Sequence, residues 1–257
     1  MKQEEWMGTL RRLAWIAGLF VAAGFVISAM ENKQASLASG VVIEIRPLAD
    51  STLLIKEDDI LKSIDRSFGF ALEGKPLKTI DVTRLERVLE ADPLILDADV
   101  FVDARNVIHL DIQQRKPALR IIDRNGLNYY LDKEGVKMPL SKHFTTRVLV
   151  ATGSIPPYVD DFRERDDHRL RQVYELAQTL RNDEFYAAMV EQIHLEKDGD
   201  FILVPMVGDQ RIILGPYEEV TEKLNNLKTF YREAMPYEGW RTYRTINLKY
   251  KGQVVCK

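Results

Sequence analysis

The pattern of apolar and polar positions changes character twice along the chain. Leu13–Met30 reads LAWIAGLFVAAGFVISAM, with no charged residue. At about 1.5 Å per helical residue this stretch spans about 27 Å, close to the ~30 Å of a bilayer's hydrocarbon. Only a helix satisfies its own backbone groups in lipid, so the pattern predicts a transmembrane helix over 13–30. Arg11 and Arg12 precede it, and positive charge stays on the cytoplasmic side. A cytoplasmic tail of residues 1–12 and an exported remainder follow as expectations. The competing expectation is a cleaved signal peptide, because Ser36-Leu37-Ala38 resembles a small-residue cleavage site. A signal's apolar region runs about 7–15 residues, however, and Ala38 lies well past Met30, which favours the retained anchor.

Residues 31–40 are polar and small and read as a linker. Beyond them the pattern alternates between strand and helix periods. Val41–Arg46 alternates as a strand; Asp58–Phe68 places Ile60, Leu61 and Ile64 at helical spacing. Asp81 is a good N-cap for a helix from Val82, with Ile80 and Leu85 set to form a hydrophobic staple. Pro93 stops that helix. Ala98, Val100 and Val102 then alternate as a strand, and Ile108, Leu110 and Ile112 as another, around a turn at 103–106. The order strand-helix-helix-strand-strand over 41–117 suits two helices on one face of a small sheet.

From Ala118 the chain breaks into short strands. Asn125-Gly126 signals a hairpin between Leu119–Asp123 and Leu127–Leu131. Asp198-Gly199 and Gly208-Asp209 signal others, and Pro205 points to an edge strand or a bulge. Leu170, Val173, Ala177 and Leu180 stripe one helix; Val220, Leu224, Leu227 and Tyr231 stripe another. Thr242–Lys251 reads as a last long strand carrying Ile246, Leu248 and Tyr250 on one face, broken by Gly252. The fold class is therefore α+β, with a mixed-sheet, β-rich second domain over 118–257 and flanking helices.

Charge is nearly balanced, 36 Lys+Arg against 39 Asp+Glu, so nothing advertises a nucleic-acid partner. The one cysteine, Cys256, excludes an intramolecular disulfide. His109, His143, His168 and His194 are scattered without metal-ligand spacing. Asp160, Asp161, Glu164, Asp166 and Asp167 form an acidic run into a helix; the spacing of a calcium loop is absent, and negative charge at a helix start is favourable in itself. Ser141, Ser154 and the His168/Asp166 pair have no motif around them, so no catalytic residue, metal or cofactor is expected.

A set of residues in order carries a resemblance. It begins with Lys75-Pro76-Leu77, Ile80-Asp81, Leu85, Leu89, Asp92-Pro93, Ala98-Asp99-Val100 and Ile108–Ile112 before Arg115-Lys116-Pro117. It continues with Asp132-Lys133-Glu134-Gly135-Val136, Leu214-Gly215, Lys223-Leu224 and Ile246-Asn247-Leu248-Lys249-Tyr250. Together these resemble the FtsQ/DivIB cell-division family, whose small first unit is a POTRA domain. The resemblance implies a non-enzymatic, single-pass scaffold of the bacterial septal complex, with its N-terminus cytoplasmic and its bulk periplasmic. It implies small bitopic partners of the FtsB/FtsL type, bound by strand addition along Thr245–Lys251, with Asn247, Leu248, Lys249, Tyr250 and Lys251 as the contact stretch. Arg115, Lys116 and Pro117 would then form an inter-domain joint. The chain departs from the family where Gln114 replaces a common acidic residue, and where Asn247 and Lys249 replace Asp and Arg. Lys249 and Lys251 also suit an edge strand that lysines merely protect. The alternative function is a periplasmic POTRA-type chaperone or transport accessory.

Overall fold

The structure is a computed structural model, and it describes Trp15, Val21 and residues 36–49, 51–239 and 242–257. The membrane-spanning expectation over Leu13–Met30 lies, apart from Trp15 and Val21, outside the described residues, as do residues 1–12 and 31–35. No helix among the described residues is long and apolar enough to cross a membrane. The chain divides into two units: one runs to Arg46 and resumes over Ile55–Gln113, and the other comprises Pro47–Leu54 and Gln114–Lys257.

The first unit is built from β1 (Gly40–Arg46), α1 (Glu57–Phe68), α2 (Val82–Glu90), β2 (Ile95–Val102) and β3 (Val107–Gln114). Its sheet order is β1-β3-β2, with β1 and β3 parallel. The helix starts are local chemistry. The Asp81 carboxylate accepts from the Arg84 N–H at 2.9 Å, and the flanking Ile80 and Leu85 are both buried. Ile60 and Ile64 from α1 and Leu85 and Leu89 from α2 close over Ala98, Val100, Ile108, Leu110 and Ile112 from the strands. Fully burying each of the larger side chains contributes about 1.5–3 kcal/mol. This is the strand-helix-helix-strand-strand order that the pattern predicts.

The second unit carries β4 (Leu119–Ile122), β5 (Asn128–Leu131), β6 (Lys137–Met138), β7 (Leu149–Gly153), α3 (Arg169–Asn182), α4 (Glu184–Met189), β8 (Val190–Leu195), β9 (Phe201–Pro205), β10 (Arg211–Gly215), α5 (Val220–Glu233), α6 (Met235–Glu238), β11 (Thr245–Asn247) and β12 (Val255–Cys256). Among the described residues the sheet runs β12-β11-β10-β9-β8-β7-β4-β5-β6. It is mixed: β4 and β7, β7 and β8, and β10 and β11 pair in parallel, and the hairpins pair antiparallel. Leu170, Val173, Leu176 and Leu180 of α3 and Leu224 and Leu227 of α5 share one core with Ile121, Ala151, Ile193, Leu203, Ile212 and Ile246. Each helix buries the stripe its periodicity marks.

Three turns use one device. Asp103, Asp123 and Asp132 each accept from the backbone N–H groups two and four residues on: Arg105 and Val107, Asn125 and Leu127, Glu134 and Val136. The residue three positions on takes the left-handed conformation: Asn106, Gly126 and Gly135. The Asn125-Gly126 turn therefore differs from the two-residue hairpin expected from its sequence. Ile122 pairs with Asn128, the loop is 123–127, and of the Asn-Gly pair only Gly126 has positive φ. The Asp123 side chain replaces the tight turn by holding a longer one.

Pro205 resolves as a bulge. Strand β9 lies inside the sheet between β8 and β10, and the register shifts between Val190 and Gln192, opposite Pro205, where the ladder lacks a donor. Gln114 also has a definite task. Its buried amide accepts from the Leu54 N–H and donates to the Thr52 carbonyl, while the Ser141 hydroxyl donates to the Leu54 carbonyl. One partner of Gln114 is a donor and the other an acceptor. An amide meets both and a carboxylate only the first, which accounts for the departure at this position.

Candidate functional site

The last strand differs from the sequence reading. In place of a long strand over Thr242–Lys251, β11 covers only Thr245–Asn247. The Asn247 side chain accepts from the Lys249 N–H at 2.9 Å, which turns the backbone away, and Gly252 completes the reversal with a φ of 66°. Val255 and Cys256 then return as β12, pairing Asn247 with Val255 and Ile246 with Cys256. Thr245–Asn247 is thus flanked on both sides, by β10 and β12, and at this end of the sheet the outermost strand among the described residues is β12. The pattern of Ile246, Leu248 and Tyr250 had suggested continuity because alternate positions look the same in a strand and in its continuation into a turn.

The sequence-derived contact stretch separates into two classes. Leu248 is buried in the core, and its N–H donates to the Ile213 carbonyl at 2.8 Å. Tyr250 is 56% exposed. Lys249 crosses Gly215 to reach Asp200, Nζ to Oδ2 at 2.6 Å. A Cβ on Gly215 would stand 2.6 Å from Lys249 Cγ, and Gly215 has a φ of 80°, so both the lysine's path and the backbone require glycine there. Lys251 Nζ reaches Glu219 at 2.9 Å. The bond to Asp200 raises the Lys249 pKa, and the bond to Lys251 lowers that of Glu219. Two lysines therefore peg the β11–β12 hairpin onto the body of the unit.

The backbone of β12 shows which groups face outward. Lys257 exchanges both backbone bonds with Thr245, its N–H donating at 3.0 Å and its carbonyl accepting at 3.0 Å. Antiparallel pairs alternate, so Cys256, the next residue, directs its N–H and carbonyl away from β11. Its thiol is partly buried, and burial pushes its pKa up, which disfavours the reactive thiolate. Val255 is 43% exposed. Val255, Cys256, Asp200 and Glu219 were not identified from sequence; Gly252 was the signal available, since a break before two valines also marks a hairpin.

Arg115 lies at the start of the second unit and donates to Asp132 at 2.8 Å, with their side chains 17% and 2% exposed. Because Asp132 also holds the Glu134 and Val136 amides, this ion pair fixes a turn. Lys116 is exposed and Pro117 buried.

The other candidates are accounted for structurally. Asp161 pairs with Arg165 and Asp166 with Arg171, so two of the five acidic residues of the run are tied to nearby arginines. No group of three or more His, Cys, Asp or Glu gathers as a metal site among the described residues. His168 stands at the N-cap of α3, its pKa lowered by burial. Ser141 is engaged with Leu54.

Comparison with known proteins agrees with this architecture. Residues 116–257 match the family described as FtsQ/DivIB, C-terminal related, and residues 36–113 match the POTRA-like domain. No curated protein matches the chain.

Proposed function

The chain belongs to the FtsQ/DivIB, C-terminal related family, and from that premise we propose that it is a non-enzymatic scaffold of the bacterial septal division complex. In this reading it is a single-pass inner-membrane protein anchored by Leu13–Met30, with both folded units in the periplasm. The POTRA-like unit binds one set of division proteins. The terminal hairpin binds a small bitopic protein of the FtsB/FtsL type by strand addition, and Arg115, Lys116 and Pro117 form the joint between the units. Holding weak contacts on one anchored chain raises their effective concentration, so assembly needs no single tight interface.

The observation that carries the proposal is the side of β12 left unpaired among the described residues, at one end of a sheet in the unit that matches the FtsQ/DivIB family. A partner strand would extend the sheet there, with the outward N–H and carbonyl of Cys256 supplying main-chain bonds. Exposed Tyr250 and Val255 would contribute side-chain contacts. Lys249 and Lys251 would act by fixing the hairpin, since both are committed to carboxylates of this chain.

The test is localisation in dividing bacterial cells with a fluorescent tag on the N-terminus. We expect a septal band from the full chain and its loss when the chain is cut after Gln253, which removes β12 but keeps β11. Uniform envelope signal from the full chain would refute the division role and favour the chaperone or transport alternative.

A further inference from the structure

Some cations of the second unit are tied to carboxylates of the same unit and others are not. Arg115, Arg165, Arg171, Arg211, Lys228, Lys249 and Lys251 each meet a carboxylate within 3.0 Å. Lys116, Arg147 and Arg181 meet none among the described residues, yet all three line one groove of about 780 Å³. Arg120 lines it too, with its guanidinium donating to Asn128 at 3.0 Å. The lining holds one acidic side chain, Glu191, in a chain whose net charge is −3.

The topology explains the convergence. Parallel strands β4, β7 and β8 all begin at this end of the sheet, and α3 and α4 end there. Arg181 suits the last turn of α3 on its own account, because a helix C-terminus favours a cation. Lys116 and Arg147 lie on irregular segments and have no such reason. Between the charges the lining is apolar: Leu149 and Val150 are half-buried, and Met206 is 52% exposed at the rim. A flat anionic surface would match a convex basic patch, whereas a concave groove with an apolar floor and charged rim matches a chain segment.

We propose that this groove binds a short acidic segment of a partner protein, with an apolar side chain seated on Leu149, Val150 and Met206 and its carboxylates facing Lys116, Arg147 and Arg181. This surface is distinct from the terminal edge, and the two can be occupied together. Complementary charge would set recognition and association rate, and the apolar anchor would set residence.

The experiment is a fluorescence-anisotropy titration of the full chain with a short fluorescein-labelled peptide of glutamates and leucines. We expect saturable binding that weakens about tenfold in the double variant Arg147→Glu/Arg181→Glu. Both residues are exposed and meet no carboxylate among the described residues, so the variant's urea midpoint should fall only slightly, through the loss of a cation at the end of α3, and a lysine–leucine peptide should prefer the variant to the natural chain. Equal affinity of the acidic peptide for both proteins would overturn the proposal. So would its loss in Cys256→Pro, which would move the peptide to the terminal edge. Phosphatidylglycerol vesicles binding through the same two arginines, with no peptide binding, would replace the partner protein by a membrane surface.

Discussion

The terminal hairpin and the basic groove use the same residue types in opposite ways. At the hairpin, Lys249 and Lys251 each hold a carboxylate of their own chain, and the result is a fixed edge. At the groove, Lys116, Arg147 and Arg181 hold none among the described residues. The contrast is sharpest at two adjacent residues: Arg115 is partly buried against the buried Asp132, and Lys116 is exposed and meets no carboxylate among the described residues. A cation paired internally gives structure and has little left for a partner. An unpaired one gives structure little and keeps its full field for an incoming anion.

The largest expected effect breaks that adjacent pair. Arg115→Ala leaves the Asp132 carboxylate, 2% exposed, with only the Glu134 and Val136 amides as partners, and should cost about 3 kcal/mol in urea unfolding. Lys116→Ala should stay within about 0.5 kcal/mol. Equal effects would erase the distinction between the two classes. Next comes Gly215→Ala, which forces an L-residue into a φ of 80° and pushes on Lys249. It should cost about 1–2 kcal/mol by the same assay, with raised amide exchange over 248–256.

Smaller still, Lys249→Ala should loosen the hairpin, seen as faster exchange of the Leu248 amide. The loss should shrink in high salt, because the pair with Asp200 is partly exposed and screened. The mildest effect is on pH. Lys251 lowers the Glu219 carboxyl below its ordinary 4.5, so the stabilisation is fully present above that value. It is lost as pH falls through the lower, folded-state pKa. Hairpin protection, measured as exchange relative to the intrinsic amide rate at each pH, should therefore fall on acidification below about 4.5, and Glu219→Gln should abolish that step. Among the described residues the groove has no internal ion pair at Arg147 or Arg181 to lose in the same way.

How much was legible in the sequence follows the range of the physics. The first unit was readable because its signals are local: the Asp81 cap, the Ile80–Leu85 staple and the alternation of Ile108, Leu110 and Ile112 all act within a few residues. In the second unit the helices were readable, but the parallel pairings of β4 with β7 and of β10 with β11 were not. Short apolar runs such as Leu149–Ala151 do not name their neighbours across a crossover. The terminal strand was overextended because the Asn247 side chain, not the apolar pattern, ends it. The groove left no trace in the sequence, since Lys116, Arg147 and Arg181 share no local period and meet only through the fold.

The central claim is that β12 offers its outer edge to a partner strand. The most direct measurement compares septal localisation of Cys256→Pro and Cys256→Val at matched protein levels. Proline removes the outward N–H while Lys257 keeps its bonds to Thr245; valine removes the thiol and keeps the N–H. We expect the proline variant to lose the septal band and the valine variant to keep it. A band that survives in the proline variant would contradict strand addition at this edge.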